Sequence, residues 1–486
     1  MRLHVLASLA AASQFQLVAH LSHKNPDALE ELFWNVSTPG NPEYLKFRTV
    51  EEIAAVIGSS ESEIEEVKQW LLNKGADPNS LRLSPLRDAV TADFDGLTLS
   101  WEHLAEKPAA VEFVHRRDFG QRAILEGKSP ARDQPNEFYT ISNMKKAYGI
   151  PEKLLASNDK TLQMVWGPGT FGFDETELSF HKLEQCPLLN VSRVVFDTPN
   201  HGKSGGDNFG EGNLDAKMIA SFGLNVKTLV SNTNTSSSTE EGEGFGQALL
   251  DFATDVATRD TLPQVLSMSL GSLGAYACDT LCTEAVKKGF TMEKCRSYLQ
   301  SQRQVCMFLS QPQTDRINSA FKVLGTRGVT LFGASGDGGS HFSFGSFEGG
   351  DIADALNTIS CDINMPVYPT ASPYVISVGG TMWSGDSSNP VTWAGFGGGS
   401  GGGFSWQFSA PAHQKDAVAG YLNGTTGLPP KSSYNAAGRA YPDISAVGTQ
   451  GTSQSCPIMA GIFSMIMDHR LNQGLPPLGF AAPRIW

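Results

Sequence analysis

Gly451-Thr452-Ser453-Gln454-Ser455-Cys456-Pro457, followed by Ile458, Ile462, Met465 and Ile466, is the stretch around which the rest of the chain is organised. The apolar residues recur at helical spacing, which predicts a buried helix with Ser453 at its N-terminus. Pro457 near the first turn is expected to be tolerated, because a missing N–H costs nothing where that donor would have no partner. The free backbone N–H groups and positive dipole end of such a helix favour developing negative charge. Ser453 is therefore a candidate nucleophile, although a Ser/Thr/Gly cluster before a helix is ordinarily just a cap.

Outward from that helix, the second half of the chain alternates strand and helix. Short β-branched runs at Leu162–Trp166, Val194–Phe196, Val226–Val230, Val265–Ser269, Val329–Gly333 and Val375–Val378 are separated by helical or loop segments. That pattern predicts an α/β domain with a largely parallel sheet covered on both faces. Ligands bind such sheets beyond the carboxyl ends of the strands, where Ser269-Leu270-Gly271 and Ser335-Gly336-Asp337 fall. Thr233 to Glu241 is polar and Ser/Thr-rich, as a surface loop would be. The run Phe396 to Phe404, with Gly401 and Gly402 in it, lacks the lysine and spacing of a phosphate loop. It reads as backbone that approaches a substrate or another strand closely.

Three further positions carry carboxyl chemistry. In Gly210-Glu211-Gly212-Asn213-Leu214-Asp215, followed by Met218 and Phe222, the apolar residues form one helical face and Glu211 and Asp215 share another. Exposed, they are a solvated acidic face; partly buried, they would share a proton and act as base and orienting group. Gly246-Gln247 to Asp251 repeats the spacing, but a glutamine cannot accept a serine proton. Asp337 follows an apolar strand in a tight glycine turn, where aspartate ordinarily serves turn geometry. Beside an active serine it could instead stay protonated and donate to an oxyanion.

Glu-x-x-x-Asp, Ser-Gly-Asp and Gly-Thr-Ser-x-Ser-x-Pro in that order resemble the sedolisins, the serine-carboxyl peptidases. Tyr368-Pro369-Thr370-Ala371-Ser372-Pro373, Val378-Gly379-Gly380-Thr381, Ser400 to Ser405 and Gly438-Arg439-Ala440-Tyr441-Pro442-Asp443 extend the likeness through most of the chain. The resemblance implies a subtilisin-like fold preceded by a smaller α+β propeptide domain. It also implies Ser453 as nucleophile, Glu211 as general base, Asp215 as the carboxylate that orients it and Asp337 as the oxyanion-hole acid. Ser269, Leu270, Gly271, Gly401 and Gly402 are the expected substrate-binding positions. The implied activity is peptide hydrolysis under acidic conditions, with release of tripeptides from free N-termini by an enzyme made as a zymogen. Peptide or protein substrates and its own propeptide are the expected partners.

The expected organisation is a signal peptide at residues 1–14, a propeptide domain at 15–115, a polar, processable linker at 116–135 and a peptidase domain at 136–486. Within the propeptide, Phe15–Leu21 and Leu97–Trp101 read as strands, and Thr49-Val50-Glu51-Glu52 and Ser60-Glu61-Ser62-Glu63 as capping boxes. The second opens a helix that stops at Gly75. The family's C-terminal calcium-binding loop has no counterpart here, so calcium is implied by the family but no site for it is read. Ile444 to Gln450 is also shorter than the family's passage to the nucleophile. A catalytically inactive or truncated relative with a binding role is the alternative. A Ser-His-Asp arrangement would need a histidine base, and His201 and His341 both lie in glycine-rich loops. Cys456 is one turn inside the helix, where small apolar packing explains it.

Size and composition fit. The 486 residues suffice for two domains, and 40% hydrophobic content is ordinary for a folded protein. A net charge of −13 with no basic run argues against nucleic acid or an anionic membrane as partner, and no apolar run is long enough to span a bilayer. Seven cysteines leave at least one thiol unpaired. Cys278, Cys282, Cys295 and Cys306 could form two bridges in any of three pairings. With acceptor sequons at Asn35, Asn190, Asn234 and Asn423, they favour a lysosome or other acidic vacuole, or secretion.

Overall fold

Phe15, Leu17, Ala19 and Leu21 alternate along one strand, and the side chains of that face bury against a helix, so the first sheet forms where its pattern requires. The computed structural model describes residues 14–95, 106–118, 139–169, 171–197, 209–233, 244–302, 306, 309–341, 347–384, 389–395 and 398–486. The chain divides into two units, residues 1–30 with 49–123, and 31–48 with 124–486.

The first unit contains β1 (Gln14–Leu21), the opening of α1 (Pro26–Ser37), α2 (Val50–Ile57), α3 (Glu61–Asn73), β2 (Arg82–Leu83), β3 (Ala89–Asp95) and β4 (Val111–Asp118). Its strands form an antiparallel sheet in the order β2-β3-β1-β4. Both capping boxes are present, with Thr49 and Glu52 opening α2 and Ser60 and Glu63 opening α3. Gly75, just past α3, has φ +97, the left-handed conformation that ends helices and favours glycine. The expected signal peptide, the Leu97–Trp101 strand and nearly all of the linker lie outside the described residues.

The second unit begins with residues 31–48, which the sequence placed in the 15–115 domain. Phe33 explains the difference. Its ring is wholly buried, 5.1 Å from the rings of Tyr374 and Phe480. A Cβ at Gly325 would stand 2.4 Å from it, so no side chain fits there.

Next come α4 (Ile141–Ala147), β5 (Leu162–Pro168), α5 (Glu175–Glu184), β6 (Val194–Phe196), α6 (Phe209–Phe222), β7 (Lys227–Thr233), α7 (Gly244–Thr258) and β8 (Val265–Met268). They are followed by β9 (Ser272–Leu273), α8 (Ala275–Lys287), α9 (Met292–Ser301), α10 (Gln311–Thr326), β10 (Thr330–Ala334), α11 (Asp351–Asp362), β11 (Val367–Tyr368) and β12 (Ile376–Trp383). The remaining elements are β13 (Pro390–Thr392), β14 (Ala394–Gly395), β15 (Gly398–Gly399), β16 (Gly403–Ser409), α12 (Lys415–Gly424), β17 (Gly438–Tyr441), β18 (Ile444–Val447), α13 (Thr452–Asn472) and α14 (Ala482–Ile485).

The main sheet runs β13-β12-β10-β8-β5-β7-β6, with β18 also paired to β12. All of its pairings are parallel except β12 with β13. All six strands expected from the sequence are found. β13 and β18 are the additions, and the short passage at Ile444 thus forms a strand that delivers the chain to α13.

α13 is buried along most of its length, so its apolar residues surround it rather than form one stripe. It packs on α6 so closely that a Cβ at Gly461 would stand 2.7 Å from the Ile219 carbonyl. Beyond the sheet, Cys282–Cys295 joins α8 to α9 and Cys278–Cys306 ties α8 to the chain after α9, resolving the pairing that the sequence leaves open. Cys186, Cys361 and Cys456 are free. Among the described residues no helix is long and apolar enough to cross a membrane.

Candidate active site

The end of β18 sets the site. The chain turns through Gly448–Gln450 to Gly451, whose φ of +85 excludes most side chains. A Cβ there would also stand 2.4 Å from Asp337 Oδ2, so residue 451 must be glycine on two independent grounds. Helix α13 then begins at Thr452, with Ser453 half-buried in its first turn. Pro457 is the sixth residue of the helix, deeper than the sequence reading put it. Its missing N–H would otherwise bond the Ser453 carbonyl. The Ser269 hydroxyl, whose one hydrogen has Asp215 as its nearer acceptor, lies 3.3 Å from that carbonyl.

Helix α6 carries the carboxyl pair. Gly212, between the two acids, is required because a Cβ would lie 1.9 Å from the Gly172 carbonyl oxygen. Asn213 accepts the Asp174 N–H at 2.7 Å and fixes the same loop. The pair is not a solvated face: Asp215 is 0% exposed and accepts a 2.8 Å hydrogen bond from Ser269 Oγ, and Glu211 is half-buried with its Oε1 out of reach of water. Burial drives the Glu211 carboxyl up to about 7, against a hydrogen bond from Ser453 and with a smaller push from Asp337. Burial, then the Glu211 charge, raises Asp215 well above the carboxylate range. Glu211 Oε1 and Asp215 Oδ2 are buried without hydrogen-bond partners, an arrangement suited to one shared proton. The Ser453 hydroxyl also has the Ser269 carbonyl at 3.5 Å, the outer limit of a hydrogen bond.

Asp337 reaches the same place from the end of β10, through Gly336 with φ +96. Its backbone is held by Gly399 N–H donating to the Asp337 carbonyl at 2.8 Å. Its carboxyl accepts from Thr452 N–H and Thr452 Oγ1, both at 2.8 Å on Oδ1. Burial nevertheless raises it above the usual aspartate value. Among the described residues the N–H of Ser453 shows no hydrogen bond, which leaves a free donor in the first turn of α13.

The five expected substrate-binding positions divide. Ser269 follows β8, with its hydroxyl turned to Asp215; Leu270 packs against the main core; and Gly271 backs onto Val367, where a Cβ would stand 2.6 Å from Cγ1. At Gly401 and Gly402 the glycine run approaches the turn that follows β10 rather than a strand. Gly401 N–H donates to the Gly336 carbonyl at 2.6 Å, Gly402 N–H to Gly339 at 3.2 Å, and a Cβ at Gly401 would lie 2.0 Å from the Ser335 carbonyl. Of the residues set aside, His341 turns Nδ1 to the Ser360 carbonyl, and His201 lies outside the described residues. The Cys456 thiol is buried, accepts from Ser267 Oγ and is pushed far up by burial, as a packing residue would be. Two hydroxyls escaped the sequence reading, Ser269 as a partner of Asp215 and Thr452 as a partner of Asp337. Among the described residues no group of three or more acidic, histidine or cysteine side chains is placed to hold a metal ion.

Comparison with known proteins gives the same class. Residues 203–478, more than half of the chain, match the subtilase family, and residues 2–95 match the Pro-kumamolisin activation domain. Tripeptidyl-peptidase 1 of Bos taurus is 27% identical over 532 residues, covering 97% of this chain and 82% of its own. The Rattus norvegicus protein is 28% identical over 533 residues with the same coverage, and the Homo sapiens protein 26%. A Pseudomonas sedolisin, a serine-carboxyl proteinase solved with two molecules of pseudo-iodotyrostatin, aligns with TM-score 0.45 and 18% identity. It covers 71% of this chain and 83% of its own. The chain belongs to the subtilase family. Within it, this is a sedolisin-type serine peptidase carrying an activation domain, homologous to tripeptidyl-peptidase 1.

Proposed function

We propose that this chain is made as a zymogen, cut within residues 116–135, and acts as a tripeptidyl-peptidase in a lysosome-like acidic compartment or after secretion. The observation that carries the chemistry is three carboxyls withdrawn from water beside one half-buried serine, Asp215 wholly and Glu211 and Asp337 in part, each with its pKa raised by that desolvation. In this reading Ser453 Oγ attacks the scissile carbonyl while its proton passes to Glu211, and Asp215, retaining its own proton, orients Glu211. The oxyanion is met by Ser453 N–H and the protonated Asp337 carboxyl. Glu211 then returns the proton to the leaving amine as the C–N bond breaks, and water repeats the sequence on the acyl-enzyme. The likeness to tripeptidyl-peptidase 1 over 97% of this chain supports the tripeptide product.

The acidic optimum follows from two opposed requirements. Glu211 must be ionised and Asp337 protonated, so the rate falls below the pKa of one and above that of the other. When the base has the higher pKa, the competent form is a minority and the maximum lies between the two values. That is between the raised value of Asp337 and about 7 for Glu211, on the acid side of neutrality. The test uses the full chain, a fluorogenic tripeptide amide and its N-acetylated counterpart across the pH range. Turnover of the free-amine substrate alone is expected, with Ser453→Ala inactive and Glu211→Gln and Asp337→Asn each down by about 10³-fold or more in kcat. Full activity in any of the three removes that residue's assigned role. Equal turnover of the acetylated substrate removes the tripeptidyl reading.

A further inference from the structure

We propose that Thr452 is a positioning residue that decides which oxygen of Asp337 carries the proton, an inference that rests on Asp337 serving as the oxyanion acid. Thr452 donates to Asp337 Oδ1 twice, from its backbone N–H and from its hydroxyl, each at 2.8 Å. The hydroxyl has one proton, and its oxygen already accepts the Gly336 N–H at 3.1 Å. Its own hydrogen is therefore committed to Oδ1.

A carboxyl oxygen that receives two donors is the carbonyl oxygen of the neutral acid, since a proton placed on it would face both of them. The acid proton of Asp337 accordingly resides on Oδ2. That oxygen lies on the Gly451 side, 2.4 Å from the position a Cβ there would take, against 3.0 Å for Oδ1. It thus faces the turn that leads into Ser453, where the developing oxyanion needs a second donor. The side chain that imposes this is itself fixed. Thr452 is 1% exposed, and its methyl lies 3.4 Å from where a Cβ on Gly380 would stand. A β-branched residue held on both sides keeps a single rotamer.

The ionisable group facing Asp337 is Glu211 on α6, with Asp215 behind it. The turn 448–451 and β15 bring no ionisable side chain, and His341 is turned away to Ser360. Loss of the Thr452 hydroxyl removes a donor that favours the ionised carboxylate more than the acid. It therefore raises the pKa of Asp337 as it releases the proton's orientation.

Thr452→Val and Thr452→Ser in the full chain, beside Asp337→Asn, test this by kinetics against pH. Thr452→Val is expected to lower kcat about tenfold or more with KM little changed, and to move the acid limb, which reports Asp337 when the base has the higher pKa, to higher pH. Thr452→Ser should return the limb and most of kcat. Unchanged kcat in Thr452→Val, a loss with an unmoved limb, or a serine variant as impaired as the valine one overturns the proposal. If the valine variant does not fold, Thr452→Ala removes the same hydroxyl and reads the same way. In Ser453→Ala protein, the infrared carbonyl band of the protonated acid, assigned by its loss in Asp337→Asn, should rise in frequency in Thr452→Val; an unmoved band also overturns it. Full activity in Asp337→Asn would instead defeat the underlying role of Asp337, a distinct outcome.

Discussion

Gly212 shows how a small residue between two acids can be a tertiary requirement. By helix propensity alone, alanine at an interior helical glycine would gain about 1 kcal/mol. Here the added Cβ would lie 1.9 Å from a backbone oxygen that no side-chain rotation can move. Overpacking of that kind costs about 3 kcal/mol, so the clash wins. Gly212→Ala in Ser453→Ala protein should therefore lower the urea midpoint rather than raise it. The four carboxyl and hydroxyl groups at Glu211, Asp215, Asp337 and Ser453 were legible in the sequence because each sits in a short motif with its own spacing. Ser269 and Thr452 were legible only as neighbours. Ser269 serves Asp215 because β8 and α6 meet in space, and no local pattern records which acceptor a hydroxyl will find.

At the scale of elements, the strands of the main sheet were readable as β-branched runs, whereas β18 has four residues and too little periodicity to declare itself. It is recognisable from its pairing, Val378 to Thr381 of β12 against Ile444 to Val447. The helical insertion after Ser269 has a similar dependence. Cys278–Cys306 closes a separation of 28 residues and Cys282–Cys295 one of 13. Each is worth about 3–4 kcal/mol by loop-closure entropy, so the sizes do not separate them. Their locations do. Cys306 bridges to Leu273 of β9, which pairs with β11 directly after Ser269-Leu270-Gly271, while the other bridge joins α8 to α9. Serine replacement of the 278–306 pair is expected to raise KM, whereas replacement of 282–295 should accelerate proteolysis of the helical pair with KM unchanged.

Across the whole molecule, buried ionisable groups pull stability in opposite directions. Glu211 is raised from 4.5 to about 7, so its contribution is full below pH 4.5 and is lost as pH rises through 7. Asp215 and Asp337 act in the same sense. His181 and His413, both lowered from 6.5 to about 4 chiefly by burial, contribute fully above pH 6.5 and lose it as pH falls through 4. In thermal melts of Ser453→Ala protein, adding Glu211→Gln should shift relative stability toward pH 7, and His413→Asn toward pH 4.5. The division into two units was partly legible too, from the change of pattern after residue 115. The placement of 31–48 was hidden because Phe33 finds Tyr374 and Phe480 hundreds of residues away.

The packing of α13 on α6 also has a consequence in time. Glu211 and Ser453 are 242 positions apart. At about 5–20 residues per second of synthesis, about 10–50 s separate their emergence. Throughout that interval α6 lacks the helix whose Gly461 lies against the Ile219 carbonyl, and its two acids stand in water as ordinary carboxylates. On the proposed mechanism a growing chain thus carries its proton acceptor well before it carries anything to activate, and cannot cut itself or its neighbours on the ribosome until α13 has been made and has closed over α6.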